Sequence, residues 1–264
     1  MAADGGVLGR IGARTMERVA LQKRERSVAA LRDEHFYPRV PRSLTKALFG
    51  PVPAVIAEVK FVSPSEGVLR GGASDSEAAR IASSYLQSGA AAISILTEPE
   101  FFGGDTAYLS AARAASPEAC LLMKDFFVDA YQFELARACG ADAILLIAAL
   151  LGPRLPELAA AARALGLSTL VEVHDEAEAE AALSVGADAI GVNSRDLRTL
   201  KTDLDVARRL APLACRGAVA VAESGLRSRA EIDELALLGY RGFLIGTTFM
   251  KSDDPGAALA AFLK

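Results

Sequence analysis

The stretch GADAILLI, residues 140–147, sets a glycine and an aspartate before a run of aliphatic residues. The same order returns as GADAIGV at 186–192 and, without the aspartate, as GAAAISI at 89–95. A glycine at such a point is typical of the left-handed residue that ends a helix. The apolar run after it is typical of a strand buried on both faces. The repeat therefore predicts helices that alternate with parallel strands.

On both sides of this repeat, eight apolar runs in all alternate with segments of helical period from residue 53 onwards. The repeat falls on every second run, so its unit is two strand–helix pairs. Eight pairs in about 215 residues predict a (β/α)8 TIM barrel. A doubly wound open sheet is the alternative, but it more often carries a glycine-rich nucleotide turn, and no GxGxxG follows the first run. The predicted strands are 53–60, 91–96, 119–124, 142–147, 168–173, 189–193, 217–223 and 242–246.

We predict one domain over residues 1–264, with an N-terminal helical extension at 1–50 and the barrel at 51–264. The segment LGRIGARTMERVALQKRERSVAALRD, residues 8–33, indicates one or two helices, and PRVPRSL after it indicates an extended connector. The many basic residues of the extension fit a solvated helix face. The alternative is a helix that caps one mouth of the barrel.

Composition excludes several classes of protein. The net charge of −4 and the absence of a Lys/Arg stripe speak against nucleic-acid binding. No apolar run reaches the roughly 18 residues that cross a bilayer, so no membrane association is expected. Cys120, Cys139 and Cys215 are too few and too scattered for a disulfide framework, which favours a cytoplasmic location. His35 and His174 stand alone in sequence, so we expect no metal site.

Polar residues end five of the predicted strands, where the carboxyl ends of barrel strands carry active sites. Glu58 and Lys60 are two residues apart and share one strand face, and Lys124 and Phe126 repeat this spacing. The other polar ends are Glu172, Asn193, Arg195 and Glu223. Burying charges of both signs costs several kcal/mol each unless they pair. This charged layer above aliphatic residues therefore predicts a functional site.

The loops after the last two predicted strands are small and contain glycine. They read Ser224-Gly225 and Gly246-Thr247-Thr248, and a short helix is expected to begin at Thr247. Backbone N–H groups at such a point bind phosphate, and barrels often place a phosphate there. We therefore predict a phosphate site formed by these two loops.

These residues lie in motifs that closely resemble the indole-3-glycerol phosphate synthase family. The motifs run in order from about residue 54 to 250, in register with all eight predicted strands. They read AEVK…SPS, SILTEPEFFGG, MKDFFVDAYQ, GADAILLIAALL, LVEVHDEAE, IGVNSRDL, AESG and LIGTTFM. MERVALQKRERSVAALR in the extension also resembles that family's helix over the barrel mouth.

The resemblance implies a carboxy-lyase of tryptophan biosynthesis that works without a cofactor. It implies that 1-(2-carboxyphenylamino)-1-deoxyribulose 5-phosphate loses carbon dioxide and water to give indole-3-glycerol phosphate. By similarity, Lys124 is the general acid and Glu172 the general base. The implied catalytic set also contains Glu58, Lys60, Asn193 and Glu223. The implied substrate-binding residues are Ser63, Phe126, Arg195, Ser224, Gly225, Gly246 and Thr247.

The residues themselves fit this chemistry. An amine acid works near neutral pH when burial or a neighbouring cation lowers its pKa, and Lys60 is a candidate neighbour of Lys124. Glu58 is then expected to hold Lys60, and Glu172 to accept the proton released on rearomatisation. Phe126 supplies an apolar face for the aromatic ring of the substrate. The turn after Lys60 is expected to begin a loop that closes over the substrate.

Three other interpretations stay open. Phe61 and Glu66 depart from the family pattern and make the first loop less basic, which fits a paralogue acting on a substituted anthranilate-derived substrate. Phosphoribosylanthranilate isomerase would need a Cys/Asp pair at strand ends, and the cysteines are not placed for it. A non-catalytic barrel serving as the subunit of a complex is the third, and the presence of Lys60, Lys124, Glu172 and Asn193 together argues against it. We expect a phosphorylated small-molecule substrate, a monomer or weak homodimer, and partners among other tryptophan-pathway enzymes.

Overall fold

Eight parallel strands close into a barrel. The computed structural model describes residues 6–50, 53–196, 199 and 201–264, so residues 1–5 of the predicted extension and 51–52 of the predicted barrel lie outside the described part. Each strand pairs with the next along the chain, and the first pairs with the last. All eight predicted strands and the predicted TIM barrel are confirmed. The strands are β1 (Ala54–Val59), β2 (Ala92–Leu96), β3 (Leu121–Lys124), β4 (Ala143–Ile147), β5 (Ser168–Val173), β6 (Ala189–Asn193), β7 (Val219–Glu223) and β8 (Gly242–Ile245).

Helices follow every strand and cover the outside of the barrel. They are Asp75–Gln87, Pro99–Phe102, Thr106–Ala115, Tyr131–Ala138, Ala148–Leu151, Leu155–Ala164, Glu176–Ser184, Asp205–Ala214, Arg229–Leu237, Thr247–Met250 and Pro255–Leu263, with a 3₁₀ turn at Gly152–Arg154. A two-stranded hairpin of Val62–Ser63 and Gly67–Val68 follows β1. No helix in the described part of the chain is both long and apolar enough to cross a membrane.

The N-terminal extension forms three helices. They are α1 (Val7–Glu25), α2 (Val28–Arg32) and α3 (Leu44–Leu48). The first two confirm the predicted helices, whereas α3 at the end of the connector was not predicted. The backbone N–H of Leu44 donates to Ser168 at the start of β5, so α3 lies at the amino end of the barrel. Leu44 and Leu48 are fully buried against the barrel interior.

The three glycines of the repeat end helices as expected, and Gly239 does the same before β8. Gly89, Gly140, Gly186 and Gly239 have φ angles of 99°, 87°, 65° and 108°. Residues with a Cβ rarely adopt this left-handed conformation, so glycine is the residue that lets each helix end and the next strand begin without strain. The sequence repeat thus marks a repeated backbone conformation.

Asp142, the aspartate of the opening stretch, joins the extension to the barrel. Its side chain is fully buried and forms an ion pair with Arg113, which is 1% exposed. It also pairs with Arg39 and accepts hydrogen bonds from the backbone N–H of Arg42 at 2.7 Å and of Leu121 at 2.8 Å. A buried charge is tolerated when it is paired and hydrogen-bonded in this way.

Replacing Asp142 by alanine is expected to lower the free energy of unfolding by about 3–5 kcal/mol, because Arg113 would keep a buried charge without its partner. Asp188 is the matched control, since it holds the same position in the repeat but is exposed and accepts from the backbone N–H of Thr169 at 2.9 Å. Asp188→Ala is expected to cost about 1 kcal/mol. Urea denaturation measures both values, and equal losses would contradict the buried ion pair as the cause.

Aliphatic side chains fill the barrel interior below the charged layer. Ile56, Leu122, Leu170 and Val221 are all fully buried and belong to one apolar cluster, as the alternation of the strands predicts. A second cluster lies between the strands and the outer helices. Helix α3 covers the amino end of the barrel, and the charged side chains of the strands lie at the carboxyl end, where the candidate site is.

Candidate active site

One cavity of about 190 Å³ lies at the carboxyl ends of the strands. All thirteen residues that the sequence analysis assigned to the site line it. They are Glu58, Lys60, Ser63, Lys124, Phe126, Glu172, Asn193, Arg195, Glu223, Ser224, Gly225, Gly246 and Thr247. The alternation of strand side chains thus brings residues from six strands and their loops to a single place.

Lys124 lies between two carboxylates at the centre of the cavity. Its Nζ is 3.2 Å from Oε2 of Glu172 and 3.3 Å from Oε2 of Glu223, and both carboxylates are 2% exposed. Burial alone would lower the pKa of Lys124, but the negative charges of Glu223, Glu172 and Glu58 outweigh it and raise this pKa above the ordinary value. The amine is therefore fully protonated at neutral pH.

The expectation that burial or a neighbouring cation lowers the pKa of Lys124 is wrong, because the surrounding carboxylates raise it. Lys60 instead forms its own ion pair, with Nζ 2.8 Å from Oε1 of Glu58. Glu58 also accepts a hydrogen bond from Ser94 on β2 at 3.4 Å. The predicted partnership of Glu58 and Lys60 is present, and it neutralises the cation that was expected to act on Lys124.

Asn193 links Glu172 to the next loop. Its Nδ2 donates to Oε1 of Glu172 at 3.0 Å, and its Oδ1 accepts from the backbone N–H of Arg195 at 2.9 Å. Burial alone would raise the pKa of Glu172, but Lys124, His174 and the hydrogen bond from Asn193 outweigh it and lower this pKa. Glu172 is therefore an ionised carboxylate, the form that accepts a proton.

The pKa of Glu223 is shifted in the opposite direction from that of Glu172. Burial, helped by the charges of Glu172 and Glu58 and opposed by Lys124, raises the pKa of Glu223 to about 7. Its Oε1 is buried and has no hydrogen-bond partner among the described residues. Two buried glutamates in one cavity thus differ in protonation, a pattern typical of sites that carry acid–base chemistry.

Two glycines make room for these carboxylates. A Cβ on Gly191 of β6 would lie 2.0 Å from Oε1 of Glu223, and a Cβ on Gly246 would lie 2.6 Å from Oε1 of Glu58. At contacts this short something must shift, and the atom in the way is in each case the end of a glutamate side chain. The glycines therefore set where the two carboxylates lie.

Gly191→Ala is expected to lower kcat by about a hundredfold, because a displacement of about 1 Å at a reacting group costs that much. The new methyl group would displace the carboxylate of Glu223, one of the two that hold Lys124. Gly50→Ala is the control, since its Cβ would meet only a backbone oxygen at 3.7 Å, outside the cavity. Steady-state kinetics and thermal melts of both variants check this. An unchanged kcat in Gly191→Ala would show that the position of Glu223 does not matter.

The two loops predicted to bind phosphate meet beside the charged cluster. Ser224 and Gly225 have φ angles of 66° and 80°, and Ser224 is the one non-glycine residue of the described part with a positive φ. Successive N–H groups in such turns form a concave anion site. The helix predicted to begin at Thr247 is confirmed as Thr247–Met250.

Helix α1 covers the cavity, which supports the capping alternative. Arg18 pairs with Asp125 at 2.7 Å and with Glu98 at 3.3 Å, two acidic residues that follow β3 and β2. Further along α1, Lys23 pairs with Asp129 at 2.7 Å. The basic residues of the extension thus contact the carboxyl-end loops, whereas the sequence also allowed a purely solvated face.

Several residues that line the cavity were not predicted from the sequence. They are Val7, Leu8, Ile11, Phe102 and Arg227. The helical spacing of the first three predicts an apolar helix face, but not its partner. The ring centroid of Phe102 lies 5.9 Å from that of Phe126, and the two rings form an apolar wall of the cavity.

The two residues that depart from the family pattern do different things. Phe61 is buried, with its ring centroid 5.5 Å from that of Tyr108, so its side chain packs in the outer core. Glu66 lines the cavity and pairs with Lys251 after β8. The loop after β1 is therefore tied to the loop after β8 by an exposed ion pair.

An eight-stranded parallel barrel with a charged cavity at its carboxyl end defines a (β/α)8-barrel enzyme. Solved structures agree on the fold. 3-Hexulose-6-phosphate synthase from Salmonella typhimurium has a TM-score of 0.62 at 16% identity, over 80% of this chain and 98% of that one. 3-Keto-L-gulonate-6-phosphate decarboxylase from Vibrio cholerae has a TM-score of 0.60 at 16% identity, over 80% of this chain and 97% of that one.

Sequence comparison narrows the class to one family. The profile described as Indole-3-glycerol phosphate synthase matches residues 8–262. An indole-3-glycerol phosphate synthase from Burkholderia vietnamiensis is 49% identical over 79% of this chain and 78% of that relative. One from Carboxydothermus hydrogenoformans is 46% identical over 88% of each. The chain belongs to the indole-3-glycerol phosphate synthase family, the carboxy-lyases of tryptophan biosynthesis. This result does not favour the specialised paralogue.

Proposed function

We propose that this cavity converts 1-(2-carboxyphenylamino)-1-deoxyribulose 5-phosphate into indole-3-glycerol phosphate, with loss of carbon dioxide and water. The observation that carries the proposal is Lys124, which is protonated and held between a carboxylate of lowered pKa and one of raised pKa. The membership of the chain in the family supports the same reaction. The substrate carries a phosphate, a carboxylate and an aromatic ring, and the cavity offers a matching surface for each.

Substrate binding follows from the lining of the cavity. The phosphate binds the backbone N–H groups of Ser224, Gly225 and Gly246 and the start of the helix at Thr247. The aromatic ring packs on the apolar wall around Phe126. Ser63, Asn193 and Arg195 orient the ribulose chain and the carboxylate from the opposite side.

The first step is ring closure. The ring carbon that bears the carboxylate attacks the ribulose carbonyl, and Lys124 donates a proton to the oxygen as its negative charge develops. The carbon–carboxylate bond then breaks, and its electrons restore the aromatic ring. A donor fixed in place before the reaction stabilises the developing charge without reorganisation. The two carboxylates that hold Lys124 supply this fixed position.

The second step is dehydration of the closed ring. Glu172 removes a proton from the ring carbon next to the nitrogen, and the hydroxyl on the adjacent carbon leaves as water. Lys60, held by Glu58, donates the proton that this hydroxyl needs. The lowered pKa of Glu172 keeps it in the basic form throughout the neutral range.

Several broader expectations accompany this function. They are a cytoplasmic location, a single domain, and a monomer or weak homodimer that works with other tryptophan-pathway enzymes. The family's phosphorylated substrate fits the small loops after β7 and β8. Size-exclusion chromatography with light scattering tests the oligomeric state.

The direct test is to add the arylamino ribulose phosphate and follow the fluorescence of the indole product. A rise in fluorescence with the unsubstituted substrate, and its absence without protein, is the expected result. Signal only with a ring-substituted substrate would instead support the specialised paralogue. No signal with either would overturn the proposed function.

A further inference from the structure

His174 lies directly behind the proposed base. It follows β5 two residues after Glu172, so both side chains leave the same side of the chain. Its side chain is 19% exposed, and Nε2 lies 3.5 Å from Oε1 of Glu172. His174 is absent from the described residues that line the cavity, so it reaches the substrate only through Glu172.

Glu178 fixes the orientation of the His174 ring. Its Oε2 accepts the backbone N–H of His174 at 2.8 Å and lies 3.1 Å from Nδ1 of the ring. An ionised carboxylate only accepts hydrogen bonds, so Nδ1 carries a hydrogen. The opposite nitrogen, Nε2, then points towards Glu172.

Nε2 is buried and makes no hydrogen bond with any described residue. In a neutral ring protonated on Nδ1, this nitrogen would turn a lone pair towards the carboxylate of Glu172, which is unfavourable. In the imidazolium form it turns an N–H group towards the same oxygen. The arrangement of Glu178, His174 and Glu172 therefore favours a ring that carries a positive charge.

The charges around His174 agree with this geometry. Glu172 lies on β5 just before His174, Glu178 on the following helix and Glu223 on β7. Burial lowers the pKa of His174, but the hydrogen bond with Glu178 and the charges of Glu172 and Glu223 outweigh it and raise this pKa.

We propose that His174 is a positioning residue that keeps Glu172 ionised and oriented during the reaction, an inference that rests on the proposed function of Glu172. Lys124 provides the other positive charge, on Oε2 of Glu172, while Asn193 holds Oε1. Once Lys124 has given its proton to the substrate, that charge is gone. The imidazolium remains as the cation beside Glu172 when the base is needed.

Histidine NMR tests the ion pair without substrate. The chain has two histidines, so a ¹⁵N spectrum holds two rings, and the His35→Gln variant assigns the remaining signals to His174. We expect His174 to titrate above the ordinary range of a histidine, and about one pH unit lower in Glu172→Gln, because the facing negative charge is removed. A midpoint of His174 at or below that of an ordinary histidine, or an unchanged midpoint in Glu172→Gln, would overturn the proposal. Since no turnover is involved, this outcome is independent of the proposed reaction.

Kinetics test the consequence for the base. In His174→Gln the acid limb of the kcat profile is expected to move up by about one pH unit, because Glu172 loses a neighbouring cation. KM is expected to stay unchanged, since His174 does not line the cavity. A role in folding alone would lower the melting temperature without moving this limb, and an unmoved limb would overturn the proposal. Glu178→Gln is expected to shift the limb in the same direction by a smaller amount.

Discussion

Lys124→Ala is expected to lower kcat by about ten-thousandfold, because it removes the proposed acid for the ribulose carbonyl and the cation proposed to stabilise the oxyanion. Substrate binding is expected to stay within about tenfold of the wild type, since the phosphate loops and the apolar wall are untouched. Stopped-flow fluorescence measures turnover, and isothermal titration calorimetry measures binding.

Lys23→Ala is the matched control for Lys124→Ala. Lys23 makes an exposed ion pair with Asp129 on the outside of the barrel mouth. Exposed pairs contribute at most about 1 kcal/mol, so this variant is expected to keep kcat within about twofold. Substantial turnover by Lys124→Ala would assign the acid to another residue, and Lys60 would be the first to examine.

Glu172→Gln is expected to lower kcat by about a thousandfold, because the amide keeps the shape of the side chain but does not accept a proton at neutral pH. Wild-type activity is expected to fall on the acid side as Glu172 is protonated. Its lowered pKa places that fall below the range of an ordinary glutamate. A pH profile of kcat measures this. Glu176→Gln changes an exposed carboxylate at the start of the helix after β5, paired with Arg209, and is expected to leave kcat unchanged.

The positions of the site residues follow from the sequence because two simple rules apply together. Strand side chains alternate, and barrel strands all point their carboxyl ends to one side. Glu58 and Lys60 therefore share a face, and Lys124 must come to the same mouth. The repeat that contains Gly140 supplies the count of strands on which both rules depend.

The charge state of Lys124 does not follow from the sequence. It depends on Glu172 and Glu223, which are 48 and 99 residues away and reach Lys124 only across the closed barrel. Nor does any local pattern show that Gly191 of β6 makes room for the carboxylate of Glu223, which lies two residues beyond the β7 residue paired with Gly191. These features depend on distances across the barrel, which alternation alone does not provide.

The covering of the cavity is predictable only in part. Helix α1 is evident from its helical spacing, but Arg18 contacts acidic residues more than 75 positions away. Helix α3 is short, and its two buried leucines carry too little pattern to predict where it packs. The ends of the barrel are therefore closed by contacts that only the folded chain reveals.

A single-turnover experiment that follows carbon dioxide and indole-3-glycerol phosphate together tests most directly whether Lys124 closes the ring and Glu172 completes the dehydration. With enzyme in excess, the wild type is expected to release one equivalent of each. Glu172→Gln is expected to release carbon dioxide but to form indole-3-glycerol phosphate about a thousandfold more slowly than the wild type. Lys124→Ala is expected to release neither product. Release of carbon dioxide by Lys124→Ala at the wild-type rate would contradict the role of Lys124 in ring closure.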